Sequence, residues 1–313
     1  MIDLLLEALN TTVSTMITVF VMLFITGLMS EMGMFQRLSF LARPLTSVSR
    51  LPSISATSFV ISLGSALAAN TMIARMRDDG HLSDRQAFLS ALMNGVPVYF
   101  RELFTYQLAF VIPILGIFVG GAYACVAIST GLIKLFLVVI LGRACLPRSQ
   151  SFSSEALEVD SSKDILEAAR KSLRGQIRIF LRIAGLYFFM TLLVLFLSRR
   201  GILQSMDAIP IAQLFCIPPE TVMPLAIYVA SPKAGISLLG PMIQSGEISE
   251  VKALMVLMLG SLFMLPIYSL RSLLPNYTSV FGMRLGLSLV LTSTGISVFV
   301  RLIVLALLLI AAG

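Results

Sequence analysis

The sequence predicts an all-α, polytopic transmembrane bundle built from two related halves. Three observations point there. Apolar residues make up 57% of the chain, mean hydropathy is +0.94, and charged residues are only 12%, about half the share usual in a soluble domain. Apolar stretches near the roughly 20 residues needed to cross a bilayer recur from end to end. Residues 51–120 also lie over residues 217–286 without a gap. Pro52 meets Pro218, Ser65 meets Ser231, Ala68 meets Ala234, Gly80 meets Gly246, Ser83 meets Ser249, Ala87 meets Ala253, Gly116 meets Gly282 and Gly120 meets Gly286. The similar pairs Ser55/Thr221, Thr71/Ser237 and Leu82/Ile248 fall in register too. Matched glycines, prolines and serines, rather than interchangeable leucines, are the mark of a duplicated transporter-like unit. Short alternating segments of the β-barrel kind are not evident. The first apolar run does not read as a signal peptide, since Asp3 and Glu7 stand where positive charge is needed.

The elements follow in order. Residues 1–145 form the first repeat, 146–162 a polar linker and 163–313 the second repeat. Residues 4–32 read as one span. Residues 36–50, with Arg37, Arg43, Arg50 and an interrupting Pro44, read as an interfacial helix. Residues 54–76 are apolar but rich in Ser, Ala, Gly and Asn. A turn at Asp78-Asp79-Gly80-His81 follows, and Ser83 with Gln86 three residues on is a capping-box pattern opening the next helix. Pro97 and Pro113 divide the next 60 residues into expected helices at 84–104, 106–120 and 122–143. The serine-rich, acidic stretch 146–162 is the linker. Residues 163–178 form a basic entry to a span at 179–198. Residues 202–216 then repeat the interfacial piece and 219–243 the small-residue helix.

The formal charge of +7 reads as positive-inside bias rather than nucleic-acid binding. Nothing basic precedes the first span. Arg37, Arg43 and Arg50 follow it, and Arg148, Lys163, Arg170, Lys171 and Arg174 surround the linker, so both regions are expected in the cytoplasm of a cell-membrane protein. Arg199 and Arg200 then fall outside, against the rule. Opposite starting sides require an odd number of crossings per half. Five per half gives ten helices and inverted repeats, whereas four gives parallel ones.

Two matched stretches concentrate small and polar residues where a lipid-facing helix carries leucine: 64–71, with Ser65, Asn70 and Thr71, and 230–237, with Ser231, Lys233 and Ser237. Pro232 removes a backbone donor there. Helices broken at equivalent places aim backbone groups and helix ends at a ligand, although small residues also serve close helix packing. Charges within apolar spans are costly in lipid and face a partner or an aqueous cavity. Lys233, Arg101 and Arg271 would form a basic cavity for an anionic or phosphate-bearing substrate, with Glu102 beside Arg101 and Glu220 near the start of the helix that carries Lys233. Asn94 is a further polar candidate, as is Gln107. Lys134 and Arg301, near equivalent places in the last helix of each half, are expected to approach a membrane surface, and His81 to be an exposed turn residue.

No Walker A loop, metal-ligand spacing or nucleophile elbow is present, so neither a cofactor, a metal nor an enzymatic reaction is implied. Cys125, Cys145 and Cys216 are scattered and suggest no disulfide framework.

The stretch LGSALAANTMIARMRDDGHLSDRQAFLSALMNG at 63–95, echoed by VASPKAGISLLGPMIQSGEISEVKALMVLML at 229–259, resembles the nucleoside-recognition (Gate) domain membrane proteins. The resemblance covers residues 50–120 and 217–286. Gate-type repeats occur in concentrative nucleoside transporters, in the membrane part of bacterial ferrous-iron transporters and in spore-maturation membrane proteins. The resemblance implies a helical membrane fold and leaves the substrate open. The GTPase part of the iron transporters is missing here. Lys233 argues against a bare cation at the second break. The expected function is a secondary transporter or facilitator for a small polar anion. A non-transporting scaffold or assembly subunit and a translocase of an anionic lipid are the alternatives, ahead of an iron or nucleoside transporter or an intramembrane enzyme. Expected partners are membrane lipids and a small-molecule or lipid-like substrate. A monomer and a homodimer fit equally.

Overall fold

In the computed structural model, which describes residues 2–32, 42–147, 165–199 and 221–312, the chain is helical, with no strand among the described residues. Five helices there are long and apolar enough to cross a membrane, which fits an integral membrane protein. The linker at 148–162, Arg37, Lys163, Arg200, the stretch 202–216 with Cys216, and Glu220 lie outside the described residues.

Helix α1 (Ile2–Glu31) packs along α9 (Ile165–Arg199). Thr15 meets the Tyr187 hydroxyl at 3.3 Å, Phe20 stands edge-on to Phe180, and Ser172 donates to the Phe24 carbonyl. Glu31 pairs with Lys171 at 2.9 Å. The partner numbers fall as the α1 numbers rise, so the two helices run antiparallel. The Glu31 carboxylate, by its hydrogen bond and its charge, holds the exposed Lys171 ammonium above the usual lysine range.

After the short α2 (Ala42–Val48) come α3 (Ile54–Gly64) and α4 (Ala66–Asp78), separated by one extended residue, Ser65, at φ −147°, ψ 108°. In the second half α10 (Val222–Ala230) and α11 (Pro232–Gln244) are separated by Ser231 at φ −152°, ψ 102°. The latter pair folds back on itself: a Cβ on Gly235 would lie 2.5 Å from the Tyr228 Cα, contact that a continuing helix never makes over seven residues. Helices α3 and α4 pack on one another likewise, with Ser62 and Ala69, both fully buried, in the corresponding places. At about 1.5 Å per residue, these helices of 9 to 13 residues are too short to cross a bilayer. Residues 54–76 are therefore a broken hairpin, not one span.

The expected three helices between Asp84 and Arg143 are two. Helix α5 (Asp84–Met93) runs through α6 (Gly95–Glu102), a π-helical segment Leu103–Val111 and α7 (Ile112–Leu115) as one apolar rod, and α8 (Ile117–Cys145) returns. Proline removes an N–H and crowds the preceding turn. Here Pro97 sits in the first turn of α6 and Pro113 directly follows the widened π turns, which absorb the mismatch without breaking the rod. The second half shows the same arrangement in α12 (Glu250–Tyr268), a π segment Ser269–Leu273, α13 (Leu274–Phe281) and α14 (Met283–Ala312). The true reversals fall at Gly116 (φ +86°, ψ 168°) and Gly282 (φ +80°, ψ 168°), a backbone region that side chains disfavour. Past each corner the rod and the returning helix touch. A Cβ on Gly120 would lie 2.6 Å from the Ile112 Cα, and one on Gly286 2.7 Å from the Thr278 nitrogen. The capping box of Ser83 and Gln86 is formed, with Ser83 N–H donating to Gln86 Oε1 at 2.9 Å and Gln86 N–H to Ser83 Oγ at 3.3 Å.

Candidate functional site

The two hairpins hold most of the polar residues singled out from the sequence. At the first tip, Ser65 N–H completes α3 on the Ile61 carbonyl, and the Ser65 side chain caps α4 by accepting from Ala68 N–H at 3.2 Å. The last carbonyls of α3 are met from outside: Arg101 Nη1, at the end of α6, donates to Gly64 O at 2.9 Å and Leu63 O at 3.3 Å. A guanidinium at the negative end of a helix satisfies both the orphan carbonyls and the dipole. Arg101 thus anchors the hairpin. Deeper down, Ser58 Oγ donates to Asn94 Oδ1 at 3.0 Å, and Asn94 Nδ2 donates to Asn70 Oδ1 at 3.1 Å, all buried. Asn94 stands at the α5/α6 junction, so this chain of bonds joins both arms of the hairpin to the rod. Ser55 and Ser90 add a second buried link. Thr71 bonds its own helix, at the Leu67 carbonyl.

The second tip is less satisfied. Ser231 gives no side-chain cap, and Pro232 occupies the first helical position. Lys233 follows and is exposed, on the turn where helix amides carry partial positive charge. Ser237 is fully buried with no partner for its hydroxyl. Tyr228, wedged between Gly235 and Gly260, shares a hydroxyl–hydroxyl bond with Tyr123 of α8. Arg271 lies exposed on the second π segment. Glu102 is exposed, feels the charges of Arg101 and Lys134, and is within ion-pair distance of neither. The structure thus gathers Ser65, Asn70, Asn94 and Arg101 around the first hairpin and Ser231, Lys233 and Ser237 on the second. No hydrogen bond or ion pair among the described residues joins Arg101, Lys233 and Arg271.

Lys134 and Arg301 are buried inside the bundle and do not reach outward. Lys134 is 4% exposed and Arg301 8%. Each lies eleven residues before the end of its helix, at Cys145 and Ala312, or about 16 Å of helix. Lys134 Nζ donates to Tyr99 OH at 2.8 Å and Ser293 Oγ at 2.7 Å, and lies 4.7 Å from the Tyr99 ring centroid. Tyr99 OH meets Ser297 Oγ at 3.3 Å, and Arg301 Nη1 donates to the Ser297 carbonyl at 3.0 Å. The signal available in the sequence was position: a cation this far from both helix ends is too deep for an easy reach to water. The partners of Lys134 come from two other helices, α6 and α14, which no local pattern announces.

Three proteins of Methanocaldococcus jannaschii resemble the chain along nearly its whole length, and each is described as uncharacterised. MJ0871 is 24% identical over 302 residues, covering 94% of this chain and 92% of its own. MJ0880 is 21% identical (91% and 92%) and MJ1556 23% identical (89% and 88%). No family model and no solved structure matches.

Proposed function

We propose that the chain is a secondary transporter or facilitator for a small polar anion, built of two inverted repeats of three crossings and one broken hairpin each, in the cell membrane. The observation that carries this reading is the coincidence of the breaks. Ser65 and Ser231, Gly116 and Gly282, and the starts of the two π segments at Leu103 and Ser269 all lie 166 positions apart. Paired half-helices that end inside a bilayer are what alternating-access transporters use to expose a site to either side in turn. Three supports favour the inverted arrangement. The leading helices of the two halves, α1 and α9, run antiparallel. Three crossings per half is odd, as opposite starting sides demand. The turn after the first hairpin carries Arg75, Arg77 and Arg85, while the corresponding stretch 241–251 carries no lysine or arginine, the charge difference expected of opposite faces. This reading counts six crossings, the five long apolar helices and α9, where the sequence suggests ten.

Each hairpin also packs on the opposite half: α4 on α13, where Arg77 Nη1 donates to Phe281 O at 2.8 Å, and α11 on α7, where Gly240 meets Ile114. The far end of each hairpin, away from its tip, is thus held against the other half's corner. The test is a thermal-shift panel on detergent-solubilised protein with nucleosides, phosphorylated metabolites, carboxylates, anionic lipids and divalent metals, followed by uptake of the stabilising compound into proteoliposomes. An anion is expected to stabilise the protein and enter the vesicles, and Lys233→Ala to reduce uptake without reducing folded yield. Stabilisation by a nucleoside or metal alone, or binding without uptake, contradicts the reading and favours the scaffold.

A further inference from the structure

Two positive side chains, Lys134 and Arg301, are buried in this bundle with no carboxylate within ion-pair distance among the described residues. Lys134 comes from α8 in the first half and Arg301 from α14 in the second, and Ser293, Ser297 and Tyr99 lie between them. Burying an unpaired charge is expensive, and the cost is offset when a counter-charge with hydrogen-bond capacity sits beside it. Among the described residues no ion pair forms at either one. Glu102, the carboxylate that feels Lys134, is exposed and out of ion-pair range. Hydroxyls satisfy part of the need only. An ammonium has three donors, of which Lys134 commits two. Arg301 commits Nη1 to a carbonyl, and its Nε–H is buried with no partner. Each cation thus keeps a donor uncommitted among the described residues, beside hydroxyls that can turn to donate.

We propose that the Lys134–Arg301 cluster, between the two halves, is the seat of a phosphate-type dianion. Charge selects the class: two buried unit charges call for a ligand near −2, which a phosphate monoester or inorganic phosphate carries at neutral pH. The donor set agrees, because a guanidinium and an ammonium with flanking hydroxyls is a common cradle for phosphate oxygens. Tyr228, which shares a hydroxyl–hydroxyl bond with Tyr123, lies within the electrostatic reach of Arg301. Tyr228 belongs to the arm leading to the Ser231 tip, so the charge of Arg301 is felt on the second hairpin. The inference rests on the transport reading for its purpose, though not for the binding itself.

The phosphate can belong to a free solute or to a lipid headgroup, and two arms separate them. In the first, inorganic phosphate is titrated against the protein in an uncharged maltoside detergent, with melting temperature and calorimetry as readouts. In the second, nanodiscs of phosphatidylglycerol are compared with nanodiscs of phosphatidylcholine. Wild type is expected to respond in one arm. Lys134→Met and Arg301→Gln should weaken that response roughly 10- to 100-fold, the loss of one charged hydrogen bond, and Lys134→Arg should keep most of it. The unliganded Lys134→Met protein should melt no lower than wild type, since an uncompensated buried charge has gone. That readout separates a binding lysine from a structural one and guards against a variant that merely fails to fold. Glu102→Gln should tighten phosphate binding. No wild-type response in either arm, or an equal response in Lys134→Met and Arg301→Gln, overturns the proposal. Phosphate binding without uptake into proteoliposomes keeps the site and ends the transport reading. Uptake of another solute with no phosphate response does the reverse.

Discussion

Gly142→Ala is expected to destabilise the protein by on the order of 3 kcal/mol, read as a fall of several degrees in the melting temperature of the detergent-solubilised protein. Gly142 lies in the last turn of α8, and a methyl group there would land on the Ser49 carbonyl oxygen. That oxygen has no freedom to retreat, because the ends of α2 and α8 hold each other. Arg143 Nε donates to the Val48 carbonyl at 3.0 Å, and Arg50 Nη1 donates to the Arg143 carbonyl at 2.8 Å and the Leu146 carbonyl at 3.4 Å. Each arginine covers carbonyls that end the other's helix, and Arg50 does so from a left-handed backbone at φ 54°. Room for one methyl group must come from separating the two helix ends, which breaks these bonds together. Gly121→Ala in the same helix is the contrast: its Cβ would meet nothing within 4 Å, so helix propensity alone applies and the change should stabilise by up to about 1 kcal/mol. Equal melting temperatures for the two variants would contradict the clamp.

Arg101→Met should cost about 2 kcal/mol and abolish uptake. The methionine keeps the length and the apolar stem but leaves the Gly64 and Leu63 carbonyls without their charged donor. Those carbonyls end a helix that stops inside an apolar chain, where water cannot replace the guanidinium cheaply. The loss therefore falls on the position of the first tip, not only on global stability. Arg101→Lys should recover most of the melting temperature and part of the uptake, since one ammonium can still reach Gly64 O. A variant with wild-type uptake would show that the tip position is irrelevant to function. A ligand-contact role for Arg101 predicts another pattern, in which uptake is lost and the melting temperature of the empty protein is unchanged.

Much of the architecture was legible from the residues. The breaks at Ser65 and Ser231 were announced by small residues in an otherwise leucine-rich chain and by Pro232, and the helix start at Ser83 by its capping box. The prolines misled. Pro97 and Pro113 read as helix ends, yet a first-turn proline needs no donor and a widened turn accommodates the other. The actual reversal, Gly116, is one glycine among twenty-one; its match to Gly282 marks it as part of the repeat, and the backbone angle marks it as the corner. Asn70 and Asn94 were picked out as polar residues in apolar surroundings, but their pairing across 24 positions required the fold. Lys134 and Arg301 were assigned to a membrane surface because composition alone does not separate a deep cation from one that reaches outward. What decides for Lys134 is the company of Tyr99 and Ser293, supplied by α6 and α14.

The central claim is that two equivalent hairpins enter the membrane from opposite faces. Asp84 and Glu250 test it most directly, since they open equivalent helices, α5 and α12, immediately beyond the two hairpins, and both are exposed. With Cys125, Cys145 and Cys216 replaced by serine, single cysteines at these two positions would be labelled with a membrane-impermeant maleimide in sealed vesicles of known orientation. The account predicts that Asp84→Cys reacts only from the cytoplasmic side and Glu250→Cys only from the other. Labelling of both from the same side would make the halves parallel and contradict it.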